Sequence, residues 1–314
     1  YILSGKMKQK EDLRFSYDIP EVHRLGESEV LAKGSDAINI FGKNFGCMDA
    51  RHGPKILAEV KVVDGVDGKG WVKCRRTTWK ADNHVVCETP AGAGKTNEVR
   101  VTIGGQTSEA TTKGSYHYRI PVITKIVPDS GDPKGNYTID IYGRNFGTVQ
   151  STFKDGYVTI RGETCLETTW VSDRQIKCKV PPGSGPGVDV KIWDVEDRDS
   201  INHFKKFGYA LPTVDKVVPD HLPTTGGTIK ISGNYYGICL PTSKRCLQPK
   251  AYINGVACTR DKRLTPELIE CDVPEGVGEK LNVRVVYDRQ TSLHNTLFSY
   301  DRPILGRLKT LHVL

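Results

Sequence analysis

The sequence predicts an all-β chain built from tandem β-sandwiches, and three observations carry that prediction. Short stretches of alternating apolar residues recur between turns rich in glycine and proline, with no helical period of useful length anywhere. The same order of features is traversed three times, which marks an array of one structural unit. Each pass carries two cysteines thirteen residues apart: Cys74 with Cys87, Cys165 with Cys178, and Cys258 with Cys271.

The seams define the units. Phe15-Ser-Tyr-Asp-Ile-Pro20, Tyr116-His-Tyr-Arg-Ile-Pro121, Phe207-Gly-Tyr-Ala-Leu-Pro212 and Phe298-Ser-Tyr-Asp-Arg-Pro303 are one element repeated. We expect three full repeats, 20–120, 121–211 and 212–302, with 1–19 the tail of a preceding repeat and 303–314 the start of a following one. Successive repeats meet across one proline. A Gly/Ser tether would behave as a coil, whereas this junction predicts a semi-rigid rod.

Inside each repeat the elements come in constant order. A short apolar strand follows the proline, as in Val122–Val127 and Val214–Val218. A polar turn then leads into a half-buried strand: Ala37-Ile-Asn-Ile-Phe-Gly42, Thr138-Ile-Asp-Ile-Tyr-Gly143 and Thr228-Ile-Lys-Ile-Ser-Gly233. Next stand Gly42-Lys-Asn-Phe-Gly46, Gly143-Arg-Asn-Phe-Gly147 and Gly233-Asn-Tyr-Tyr-Gly237. Their glycines and asparagines suggest positive φ around an aromatic that plugs the core. A loop of variable length follows, then the cysteine pair.

After the second cysteine the repeats agree most closely, with Pro and two Gly at fixed offsets in Cys87-Glu-Thr-Pro-Ala-Gly-Ala-Gly94, Cys178-Lys-Val-Pro-Pro-Gly-Ser-Gly185 and Cys271-Asp-Val-Pro-Glu-Gly-Val-Gly278. Alternating strands beginning at Val99, Val188 and Leu281 complete each unit. Short strands joined by turn chemistry at this density read as a β-sandwich.

The recurrent pairing of cysteines without any Cys-x-x-Cys reads as disulfides and an oxidising compartment; free core thiols are the alternative. Thirteen residues hold a strand, a turn and a strand, so each bridge should staple local structure. Trp79 and Trp170, five residues after the first cysteine, read as aromatic cover for the bridge, with Arg263 in that place in the third repeat. Three of the nine cysteines remain. Cys239 and Cys246 share one loop and are expected to bridge each other. Cys47 is then unpaired, or pairs between chains.

With 314 residues, 37% of them hydrophobic, the chain has room for two or three cored domains. It has no apolar run of about eighteen residues that would span a membrane, and no signal peptide is visible. The net charge is +8 and the basic residues are scattered. Their densest spot is Lys73, Arg75 and Arg76 around Cys74, with Lys80 nearby. Such a patch attracts nucleic acid, sulfated glycans or acidic partners, or is simply a solvated strand face.

Motifs for chemistry are thin. Gly92-Ala-Gly-Lys-Thr96 copies the end of a phosphate-binding loop but lacks its first glycine, Thr89 standing there, and its counterparts are repeat turns. Acidic residues cluster at Asp64–Asp67 and Asp194–Asp199, where Arg198 interrupts any calcium cage. The histidines lack metal spacing, and no nucleophile-and-base pattern appears. Asn136-Tyr-Thr138 is the lone Asn-x-Ser/Thr sequon, making Asn136 a candidate glycan site.

These features resemble IPT/TIG domains. The shared pattern is Pro-x-aliphatic-x-x-aliphatic-x-Pro, the Gly-rich turn, Thr-Ile-x-Ile-x-Gly, Gly-x-Asn-Phe-Gly, the short-spaced cysteine pair and the Phe-x-Tyr end. The resemblance covers nearly the whole chain. It implies immunoglobulin-like sandwiches of the kind found in plexins, Met-type receptors and fibrocystin-like surface proteins. It implies no active site and no cofactor.

On this reading the chain is a non-enzymatic extracellular or cell-surface array that works through protein partners, with copies of itself in a larger assembly among the candidates. Specificity would lie in the loops 47–73, 148–164 and 238–257, and any membrane anchor lies outside this sequence. A structural subunit of an extracellular fibre or appendage is the alternative. A branch of the family in Rel-type transcription factors binds DNA, but the cysteine pairs fit the extracellular branch, so no nucleic acid is expected.

Overall fold

The computed structural model describes residues 16–47, 56–62, 70–111, 115–147, 157–194, 200, 204–237 and 247–304. All its regular elements are strands. The chain divides into two compact units. One comprises Tyr1–Ile120 with Gly147–Phe153 and Asp194–Asp197; the other comprises Pro121–Phe146, Lys154–Trp193 and Arg198–Leu314.

The first unit contains one sandwich. Its first sheet runs Glu21–Leu25, Ala37–Lys43, His84–Glu88, Arg76–Ala81 in spatial order, and its second runs Gly70–Lys73, Ile56–Val62, Val99–Ile103, Gln106–Thr107. A short parallel pair, Glu29–Val30 with His117–Tyr118, closes one side.

The second unit contains two sandwiches of the same plan. The one built from the second repeat places Val122–Val127, Thr138–Arg144, Gln175–Lys179 and Glu167–Ser172 in the first sheet. Its other sheet orders Ser130–Gly131, Phe204–Tyr209, Val188–Ile192, Val158–Ile160 and Glu163–Thr164. The third repeat orders Thr213–Val218, Gly227–Asn234, Leu268–Val273 and Arg260–Thr265 against Val256–Ala257, Lys250–Ile253, Val283–Tyr287 and Gln290–Thr291.

The alternation read from sequence sets the cores. Ile38 and Ile40, Ile139 and Ile141, and Ile229 and Ile231 are all fully buried, facing Val99 and Val101, Val188 and Val190, and Val283 and Val285 of the opposite sheet. Each such side chain contributes roughly 1.5–3 kcal/mol of burial. The first strand of every repeat carries the same bulge, at Val22/Arg24, Ile123/Lys125 and Val214/Lys216.

The Gly-x-Asn-Phe-Gly element differs from expectation in one respect. Asn44, Asn145 and Tyr235, like Gly46, Gly147 and Gly237, do hold positive φ, and Phe45, Phe146 and Tyr236 are fully buried. The first glycine answers a different need. A Cβ on Gly143 would lie 2.0 Å from the Val122 carbonyl oxygen and 2.5 Å from the Phe146 ring, and Gly42 and Gly233 are crowded in the same way. Close approach of the bulged first strand requires that glycine, rather than backbone handedness.

Candidate functional site

Disulfides join Cys74 to Cys87, Cys165 to Cys178 and Cys258 to Cys271, with Cα separations of 5.5, 5.7 and 5.7 Å. The first cysteine of each pair is the residue at which the chain leaves one sheet for the other. Cys165 N–H donates to Val158 O in the second sheet, and the next amide, Leu166 N–H, donates to Lys179 O in the first. Cys74 with Arg75 and Cys258 with Thr259 repeat that geometry. The bridge is local in sequence, yet it ties the crossing segment to a central strand of the sheet it enters. It is therefore more than a staple across one turn, and both sulfurs of each pair are buried.

The tryptophans have a more definite role than cover. Trp79 Nε1–H donates to Phe45 O at 3.1 Å and Trp170 Nε1–H to Phe146 O at 2.8 Å. Arg263, which looked like an exception, donates through Nη1 to the corresponding Tyr236 O at 3.3 Å. An N–H donor reaching the carbonyl of the plugging aromatic is the shared requirement, and a guanidinium satisfies it as an indole does.

The Pro-x-Gly-x-Gly loop is a clasp for the closing tyrosine. Tyr118, Tyr209 and Tyr300 donate their hydroxyls to Pro90 O, Pro181 O and Pro274 O at 2.8, 3.0 and 2.8 Å. Their backbone N–H groups donate to Gly94 O, Gly185 O and Gly278 O. Gly183 and Gly276 make room for the ring, since a Cβ there would lie 2.5 Å and 2.6 Å from it. Burial pushes the Tyr118 phenol up to about 12 against a lowering contribution from Tyr116. The residues that imitated a phosphate-binding loop, Gly92 to Thr96, belong to this clasp.

A joint between repeats, which sequence reading missed, is built from side chains of the second unit. Gln290, buried, donates through Nε2 to Tyr209 O at 2.6 Å and accepts from Gly185 N–H at 3.3 Å. Asp288, its side chain 4% exposed, pairs with Arg161 and accepts from Ser184 Oγ–H at 2.5 Å. Arg161 also donates to Ser184 O at 2.6 Å. Burial alone would raise the Asp288 pKa; hydrogen bonds from Arg161 and Ser184 outweigh it and hold the carboxyl below its ordinary range. At the rim Lys134 and Glu267 form an exposed pair at 3.1 Å.

The first unit repeats the central contact. Gln106 Nε2–H donates at 2.9 Å to the carbonyl of Tyr17, which holds the seam position of Tyr209. The signal was present as Gln106-Thr-Ser108 and Gln290-Thr-Ser292, a tripeptide at matching places in two repeats.

The remaining candidates fall as follows. Cys47 is exposed and has no disulfide partner among the described residues. Cys239 and Cys246 lie outside the described residues, as do 63–69 and 195–199 of the acidic clusters. Asn136 is exposed in the turn before the strand Thr138–Arg144, and Thr138, which begins that strand, is exposed too. Among the described residues, Cys258, Asp261 and Cys271 group within 4.8 Å of one another, but two of these atoms are disulfide sulfurs and offer no thiolate to a metal. Asp261 instead accepts from Ala251 N–H at 3.1 Å, as Thr77 Oγ accepts from Ala58 N–H at 3.2 Å. No helix among the described residues is long and apolar enough to cross a membrane.

Comparison with solved structures finds distant likenesses of fold. The full extracellular region of plexin A4 matches at TM-score 0.28 and 15% identity, over 90% of this chain and 34% of that one. The surface glycan-binding protein PbSGBP-B from Prevotella bryantii matches at TM-score 0.38 and 13% identity, over 56% of this chain and 41% of that one. The I9–I11 tandem of titin matches at TM-score 0.24 and 10% identity, over 90% of this chain and 100% of that one. The chain thus spans about a third of the plexin chain it matches. The IPT/TIG domain model matches residues 121–204 and 212–300, more than half of the sequence, and the chain belongs to the IPT/TIG domain family.

Proposed function

We propose that this chain is a non-catalytic segment of an extracellular or cell-surface protein. In this reading its repeats, 20–120, 121–211 and 212–302, space and present loops for contact with protein partners. The single observation that carries the reading is the set of three buried disulfides, one at the sheet crossing of each repeat. Bridges of that kind form and persist in oxidising compartments and are rare in the cytosol. The joint at Gln290 supports the spacing role, because it leaves no free tether between the second and third repeats. Loops on a rigid sandwich are where recognition usually sits. The stretches 47–73, 148–164 and 238–257, expected as loops, vary between otherwise matching repeats. They also hold strands of the second sheet, Ile56–Val62 with Gly70–Lys73, Val158–Ile160 with Glu163–Thr164, and Lys250–Ile253 with Val256–Ala257, so the contact surface is their remaining parts.

The test has two arms. Thiol titration of the native protein should find no more than three reactive cysteines, and nine would return the chain to a reducing compartment. Replacing residues 148–156 and 238–246, with Cys239 and Cys246 kept, spares the described strands and Arg161, and should abolish binding to intact cells without moving the melting transition. Binding that survives both replacements would overturn the contact reading.

A second reading, assembly of copies into a fibre, is favoured by exposed Cys47. It predicts a dimer band on a non-reducing gel that Cys47→Ser removes; monomer alone would sink it. Glycosylation of Asn136 should show as a mass loss on enzymatic deglycosylation, absent in Asn136→Gln.

A further inference from the structure

We propose that the first repeat carries a binding strip for sulfated polysaccharide along Lys73, Arg75, Arg76 and Lys80. Among the described residues, the strand Arg76–Ala81 is the edge of its sheet and pairs only with His84–Glu88. Side chains alternate across a strand. Thr77 stands opposite Cys87 and Trp79 reaches Phe45 O, so that set faces the core and Arg76 and Thr78 face outward; Lys80, at the bulge between Trp79 and Ala81, is exposed as well. Lys73 and Arg75 flank Cys74 at the sheet crossing beside this strand, and both are exposed.

The charges on this row are unspent. Lys73, Arg76 and Lys80 are exposed and form no ion pair among the described residues. Among the described residues, the side chain of Arg75 bonds only the neutral hydroxyl of Ser35, and Glu88, across the ladder from Arg76, makes no ion pair with it. Four other cations of the repeat are locally matched, Lys43 with Glu21 at 3.0 Å, Lys61 with Glu98 at 2.9 Å, Arg100 with Glu59 at 2.7 Å and Arg119 with Glu29 at 3.4 Å, and Arg24 lies over the Phe41 ring.

The fold does not require these cations. The corresponding positions are Thr164, Leu166, Glu167 and Val171 in the second repeat, and Ala257, Thr259, Arg260 and Leu264 in the third, where Arg260 is paired with Asp272 at 2.8 Å. A strand advances about 3.3 Å per residue, so Arg76 and Lys80 stand roughly 13 Å apart along the strand, with Arg75 and Lys73 beyond Arg76 at the crossing. That length suits a linear polyanion better than a single anion.

Two features favour a sulfated glycan over a nucleic acid. Single-stranded nucleic acid is gripped by basic grooves with aromatic stacking faces, and the aromatic of this strand, Trp79, is turned inward. The disulfides place the chain where sulfated glycans are the available polyanions. That step rests on the extracellular reading above.

The probe is heparin, with unsulfated hyaluronan and duplex DNA as comparators, titrated against the full chain at several salt concentrations. We expect heparin to bind at physiological salt and hyaluronan not to bind. The combined substitution Lys73→Ser, Arg76→Ser, Lys80→Ser should weaken heparin about tenfold or more and flatten the salt dependence by about two logarithmic units per decade. Lys125→Ser, Arg174→Ser, Lys177→Ser removes the same charge from exposed positions of the second repeat and should change affinity less than about threefold. Melting curves check that both variants fold. Equal losses in the two variants, no binding at physiological salt, or duplex DNA binding as tightly as heparin would each overturn the proposal. Nine titratable thiols would overturn the extracellular reading alone and leave a positive heparin result standing.

Discussion

The side-chain amide of Gln290 donates to the carbonyl oxygen of Tyr209 at 2.6 Å, so the hairpin of one repeat is held by the closing strand of the repeat before it. Gln106 makes the same bond to Tyr17. A buried amide with both ends engaged is costly to remove, because the groups it served are left without partners. Replacing Gln290 with Leu should therefore cost about 1–3 kcal/mol of coupling. Calorimetry of the full chain should show the second and third repeats separating into two transitions. An unsplit transition in Gln290→Leu would show that the amide does not couple them.

The joint should also respond to acid. Asp288 has its pKa depressed in the folded protein, chiefly by Arg161 and Ser184 acting against burial. A depressed carboxyl stabilises fully above its unfolded value, about 3.9, and that stabilisation is lost as pH falls through the folded value. The destabilisation caused by Asp288→Asn should thus be full at neutral pH and shrink steadily below about pH 4. A difference between the two proteins that is flat from pH 7 to pH 2 would exclude the carboxylate as the source.

Removing one bridge tests the sheet crossing. By the chain-entropy account a loop of this size contributes about 3 kcal/mol. Cys165→Ser with Cys178→Ser should lower the urea midpoint accordingly and leave the strand content unchanged by circular dichroism. A loss below about 1 kcal/mol would mean that the crossing is held by its hydrogen bonds at Val158 and Lys179 without the sulfurs.

The clasp makes a matched pair of predictions. Tyr209→Phe leaves Pro181 O without its donor and should cost about 1–3 kcal/mol. Gly183→Ala drives a methyl group into the Tyr209 ring and should cost a similar 1–3 kcal/mol by overpacking. Because both act on one contact, their effects should be non-additive in the double mutant. Strict additivity would separate the glycine from the tyrosine.

Much of this architecture was legible in the residues. Ile139 and Ile141, alternating with polar neighbours, announced a buried face because side-chain direction on a strand depends only on sequence parity. The cysteine spacing announced the three bridges for a similar reason, since it recurs at fixed offset from Pro and Gly. The roles of Trp170 and Arg263 were not legible. They are unlike as side chains and alike only as donors to one carbonyl, and the position of that carbonyl depends on how the chain turns at Phe146 and Tyr236.

Sequence by itself thus determined the strand pattern, the repeat, the cysteine pairs and the family, all of which follow from local periodicity and spacing. Only the tertiary structure decided what the individual residues do. Gly143 proved to be a matter of space, where φ had been expected, because the Val122 carbonyl approaches it from a strand distant in sequence. Gln290 became a joint because Tyr209 of the neighbouring repeat arrives beside it. Lys73, Arg76 and Lys80 became an unmatched row because no acidic side chain among the described residues pairs with them. Each of these depends on long-range approach, which a one-dimensional pattern does not encode.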